Sequence, residues 1–245
     1  MTTTAAPAIL PRVQPVPPGY ALAIADDPRG VLDLRGDDLH MQLAVHGVTA
    51  ALVWWYDGGS TGRYFAWTHA LDEAVALVAA LERPLLGPAD PRPLPEQAAA
   101  WLACLRPGRY GLAWIDGGGA DPDITRSASQ GAYSWYGDEG RIVETQPESR
   151  IDPARVDRFT AEIAAGARPP LITLGLWDSH DGFLLDGHHR LRAYRRLGLG
   201  YPQLSIVRLD PPPLDRADAR ASLRELQRGD RTLTDWAIRD FLAPP

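Results

Sequence analysis

Apolar positions in the first third of the chain come in short runs separated by turn residues, the pattern of strands rather than helices. Such runs cover residues 20–25, 31–34, 40–45, 48–56 and 64–67. The Gly- and Ser-rich stretch 57–63 reads as a hairpin loop. Its alternative reading as a ligand loop lacks the GxxxxGK[ST] pattern of a phosphate cradle. Thr68 stands as a cap ahead of a helical pattern over 70–81, with Asp72 and Glu73 in the first turn, where the helix dipole favours acids. A Pro-rich break at 84–95 leads to a second helix at about 96–105, and 110–115 reads as a strand. Residues 117–123 form a loop, and no regular pattern emerges from there to 140.

Beyond residue 141 the periodicity is clearer. Asp152 is placed to cap a helix whose first residue is Pro153. Val156, Phe159 and Ile163 recur on one face of it, and Gly166 stops it. A strand at 171–177, a turn at 178–182 and a short return strand at 183–185 follow. Then come a helix at 187–197 ended by Gly198, a strand at 203–209, and short helices at 215–227 and 233–241. The expected fold is α+β: an extended arm at 1–18 with five prolines, an α+β region at 19–140, and a small mixed sheet with helices at 141–245.

Composition narrows the function. The 245 residues are 45% apolar, enough for a packed core, and no run has the length of a membrane span. The first residues lack the basic and continuous apolar parts of a secretory signal, and Cys104 stands alone. A cytoplasmic protein without disulfides is the expectation. All 25 basic residues are Arg, and Lys and Asn are absent, which points to a GC-rich bacterial coding sequence. It also rules out chemistry that needs a lysine. Residues 1–140 carry nine Arg against 16 acids, and residues 141–245 sixteen against 15. A net charge of −6 argues against generic nucleic-acid binding, which needs a basic surface, but leaves room for a local anion site.

That site is sought in FLLDGHHRLRAYRRLG, residues 183–198, where a buried strand runs through Asp186 and Gly187 directly into a helix. Free N–H groups at a helix start favour an anion, and Gly187 lets a ligand approach the backbone. His188 and His189 add donors of adjustable charge, and Arg190 a fixed cationic fork. Asp186 is expected as the N-cap, either alone or as a cap that also helps to hold metal, cofactor or substrate. On a helical wheel at roughly 100° per residue, Arg190 falls among Leu191, Ala193, Tyr194 and Leu197, so it needs a partner: an acid of the fold or an anionic ligand. Arg192, Arg195 and Arg196 fall on the opposite face and are expected in solvent. The two histidines diverge on a helix and make poor joint metal ligands, so no metal site built from side chains is expected.

These residues, with the ARPPLITL strand ahead of them and QLSIVRL behind, make the stretch from about Glu144 to Asp210 similar to the ParB/sulfiredoxin-like superfamily. The resemblance implies that Gly187, His188, His189 and Arg190 hold the phosphates of a nucleotide, with Mg2+. Sulfiredoxins have a cysteine where this chain has His188, so that activity is not expected. The DNA-segregation branch continues into a helix-turn-helix region, for which too little chain follows. The free-serine kinases, with a DGHxR motif and an upstream glutamate, are nearest. They imply an ATP- or ADP-dependent phosphotransferase acting on a small hydroxylated substrate such as an amino acid. Glu148 would be its base, with Glu144 as the substitute, and His188 or His189 would stabilise the transferring group. A nucleotide-sensing module without turnover and a ParB-like DNA-associated protein are the alternatives, and a homodimer is a candidate assembly. Residues 19–140 resemble no named family. Their Trp54, Trp55, Tyr56, Trp67, Trp135 and Tyr136 read as core or as a ligand surface.

Overall fold

The computed structural model describes residues 15–37, 40–56, 62–67, 88–89, 91–117, 124–126, 132–135, 142–146, 148–177, 179 and 181–229. The helix expected at 70–81, most of the loops at 57–63 and 117–123, and the helix expected at 233–241 lie outside these residues.

The chain is mixed α and β, and its described residues form two six-stranded sheets. The first runs, in spatial order, β1 (Ala21–Ala25), β6 (Gly108–Gly117), β12 (Tyr201–Arg208), β10 (Leu171–Leu176), β11 (Gly182–Asp186) and β9 (Ile142–Glu144). β10 and β12 are parallel, as are β11 and β9; the other pairs are antiparallel. The second sheet is antiparallel throughout: β2 (Leu32–Asp37), β3 (His40–Val45), β4 (Val48–Tyr56), β5 (Gly62–Trp67), β8 (Ala132–Trp135) and β7 (Ile124–Arg126). The first sheet thus takes strands from both sides of residue 140.

Alternation along these strands puts one apolar face of each sheet into a common core. Leu32, Leu34, Met41 and Leu43 from one sheet pack in a single cluster with Leu112, Leu174, Phe183 and Ile206 from the other. Arg208 crosses between the sheets, donating to the Asp33 carboxylate and to the carbonyls of Leu34 (3.0 Å) and Pro107 (3.1 Å). Of the aromatics noted above, Trp54 is buried. The side chains of the other five lie outside the described set.

The helix expected at 96–105 is two short turns, α1 (Leu94–Gln97) and α2 (Ala99–Leu102), interrupted at Ala98. α3 (Pro153–Ala164) starts as expected: the Asp152 carboxylate accepts from the Ala154 N–H at 2.9 Å. It packs Val156 and Ile163 against Ala193 and Tyr194 of α4 (His188–Leu197). α5 (Arg216–Gly229) closes the described chain. Among the described residues, no helix is long and apolar enough to cross a membrane.

Candidate functional site

Because β9 and β11 run parallel, their carboxyl ends emerge at the same edge of the sheet. From β9 comes the segment 145–152, which contains a 3-10 turn at Glu148–Arg150; from β11 comes Gly187, and then α4. Gly187 has φ 107°, and a Cβ there would lie 2.6 Å from Leu171 Cδ2, so both conformation and space require glycine. This turn makes Gly187 the N-cap of α4, with no side-chain cap on the helix. Among the described residues the first-turn N–H groups of α4 therefore have no side-chain cap, the arrangement that suits an anion.

Asp186 is consequently not the cap expected of it. The left-handed turn frees its carboxylate to reach one turn forward to Arg190, with which it forms an ion pair. Arg190 is correspondingly not a cation stranded among apolar side chains. The buried face of α4 is His188, His189, Leu191, Ala193 and Tyr194, and Arg190 sits at its margin with 17% of its side chain exposed. Only its Nη2 is engaged; among the described residues, Nε and Nη1 have no hydrogen-bond acceptor.

Both histidines are buried and face the 145–152 segment. His188 Nε2 accepts the N–H groups of Thr145 (3.1 Å) and Gln146 (3.2 Å), while the Thr145 hydroxyl donates to the Leu184 carbonyl at 2.6 Å. His189 Nε2 accepts the N–H of Asp152 at 3.0 Å. Main-chain N–H groups can only donate, so each ring uses Nε2 as an acceptor and, when neutral, carries its proton on Nδ1. Burial pushes the His188 imidazole down to about 4; His189 and Arg192 add to this, and Glu144 and Asp186 oppose it. His189 is lowered too, first by burial and then by the positive charge of Arg155, Arg158 and Arg190 around it. Neither histidine is a cation at neutral pH. Their common effect is to fasten both ends of the segment carrying Glu148 to the start of α4.

Arg192 and Arg195 do not lie in solvent as the wheel suggested. The edge position of β9 brings Glu144 against the second turn of α4, where it accepts from Arg192 Nε (2.7 Å) and Arg195 Nη1 (2.6 Å). Burial raises the Glu144 carboxyl, but the two guanidiniums outweigh it and hold the group below the ordinary range. Both its oxygens are occupied, which leaves it unsuited to act as a base. Glu148 differs: its side chain is 49% exposed, and it accepts from Arg192 Nη2 at 2.9 Å. Arg192 thus joins the two glutamates. Arg196 pairs with Asp157 at the exposed surface.

The structure therefore places Asp186, Gly187, His188, His189 and Arg190 at the start of α4, and joins Glu144 and Glu148 through Arg192 farther along the helix. Sequence reasoning missed Arg192 and the main-chain donors of Thr145, Gln146 and Asp152. A wheel registers only the helix's own faces, and backbone donors leave no trace in residue type. Among the described residues, no group of three or more His, Cys, Asp or Glu side chains could hold a metal ion. Cys104 is buried, and its thiol, which contacts the Ala100 carbonyl, is pushed up by burial. Compared with protein-family models, curated proteins and solved structures, the chain matches none.

Proposed function

We propose that the protein binds the phosphates of ATP or ADP at the start of α4 and passes a phosphoryl group to a small hydroxylated acceptor such as a free amino acid. The observation that carries this reading is the helix start without a side-chain cap at left-handed Gly187, with Arg190 beside it and two of its nitrogens without an acceptor among the described residues. In the ParB/sulfiredoxin-like arrangement that the DGHHR motif resembles, this is where nucleotide phosphates sit. Mg2+ would come with the phosphates, which with water supply most of its oxygen ligands; Asp186 is the nearby carboxylate able to add one. It would neutralise phosphate charge. The bond broken is that between the terminal phosphorus and its bridging oxygen, and the bond formed is to the acceptor oxygen, whose proton passes to Glu148. Arg192 fixes the Glu148 carboxylate while leaving it half open.

A second reading, a nucleotide-sensing module without turnover, is favoured by the histidines. Each has its Nε2 committed to main-chain N–H groups, so they act on the segment rather than on a reacting phosphoryl group.

Calorimetry with ATP, ADP and CTP, with and without Mg2+, combined with phosphorus NMR of mixtures containing serine or threonine, tests both readings. Phosphorylated acceptor that disappears in Glu148→Gln while nucleotide binding persists supports the transferase. Binding without product supports the sensor. Absence of nucleotide binding, or an Arg190→Ala variant with unchanged affinity, overturns the site.

A further inference from the structure

β1 ends the first sheet, so among the described residues one side of its backbone has no strand partner. Exposed edges of this kind invite pairing, and proteins usually protect them with charge, proline or a bulge. β1 has none of these within Ala21–Ala25: its sequence is ALAIA, and its ladder to β6 is regular. Ala23 and Ala25 are buried on the core face, whereas Leu22 and Ile24 are 45% and 58% exposed on the other. Two large apolar side chains thus stand exposed on an edge that no described residue covers with a strand.

The order of these residues identifies what fits there. ALAIA reads nearly the same in both directions about Ala23. An antiparallel strand centred on Ala23 sets Leu22 against Ile24 of the partner subunit, and Ala21 against Ala25 of the partner subunit. Small residues then meet small ones on the buried face, and large meet large on the exposed face. The strand itself carries no charge, and Asp26, just beyond it, falls opposite Tyr20 of the partner subunit, so no like charges meet in the ladder. Turns at residues 17–20 and 27–30 bound the ladder at both ends: the Tyr20 N–H donates to the Pro17 carbonyl and the Gly30 N–H to the Asp27 carbonyl. We propose that β1 pairs with β1 of a second copy of this chain about a two-fold axis at Ala23, joining two six-stranded sheets into one. Such a contact is self-complementary and closes at two subunits.

Sedimentation equilibrium on the full chain over a concentration series tests the pairing. The mass should rise from the 26.7 kDa of one chain towards twice that value, and Leu22→Lys and Ile24→Lys should each hold it at one chain. Both positions are exposed, so the variants should keep the urea midpoint of the dilute parent. Register is tested with Leu22→Cys and Ile24→Cys under oxidation. An equimolar mixture of the two should cross-link more efficiently than either alone, because residue 22 faces residue 24. A parent that stays monomeric at every concentration overturns the proposal. So does a dimer that survives both lysine variants, or cross-linking no greater in the mixture than in the single-variant samples.

Discussion

Acidification should act on the fold through one imidazole. His188 is buried, and its Nε2 accepts two main-chain N–H groups, so a proton added there can be donated to the Thr145 hydroxyl oxygen at 3.1 Å but breaks both main-chain bonds of the clasp on residues 145–146. Burial holds its pKa at about 4, against 6.5 for a free side chain. Between these values the unfolded chain binds the proton and the folded chain does not. Unfolding therefore takes up protons, and stability rises with pH across the window. The contribution is complete above about pH 6.5 and is lost as pH falls towards about 4. At about 1.4 kcal/mol per unit this amounts to about 3 kcal/mol. The assay is urea unfolding between about pH 7 and 4.5 for the parent and for His188→Gln, whose amide oxygen can accept the same N–H groups without titrating. The parent should lose about 2–3 kcal/mol more than the variant over that range. His189, also lowered, titrates in both proteins and cancels in the difference. Glu144, lowered as well, contributes stability that is lost only at more acid pH. Parallel pH profiles would refute the role given to His188.

Three further outcomes follow from the packing. Asp33→Ala leaves the Arg208 guanidinium, 6% exposed, with carbonyl acceptors and the more distant Asp210 carboxylate, 3.8 Å from its Nε; it should cost about 3 kcal/mol in urea unfolding, and adding Arg208→Met should recover part of that loss. Gly187→Ala forces a side chain into φ 107° and against Leu171, and should cost about 1–3 kcal/mol while weakening nucleotide affinity in calorimetry. Arg192→Met removes the Arg192 bond to Glu148 and one of the two guanidiniums on Glu144; if Glu148 is the base, kcat should fall by about tenfold or more with nucleotide affinity little changed, and the pH profile of kcat should shift.

Much of the secondary structure was legible because local rules decide it. Strand runs such as 40–45 and 48–56 emerge as β3 and β4, and the Asp152-Pro153 start and the Gly166 and Gly198 stops of α3 and α4 lie where capping chemistry puts them. What local patterns could not supply was the assignment of strands to sheets. β1 and β6 join the sheet of β9 to β12 through pairings across about ninety residues, and nothing in the alternation of a single strand names its neighbour.

The same distinction explains the errors at the helix start. Asp186 met the residue preference of an N-cap, but the next residue's left-handed φ moved the cap by one position and turned a capping carboxylate into a counter-ion for Arg190. Arg192 and Arg195 met the pattern of a solvent face, but β9 supplied a buried carboxylate from outside the helix. In both cases a charged residue was assigned by its own element and reassigned by a neighbour at the sheet edge. Glu148 differs in exposure: it accepts from Arg192 Nη2 at 2.9 Å and keeps 49% of its side chain exposed, whereas Glu144 is consumed by the packing that positions it.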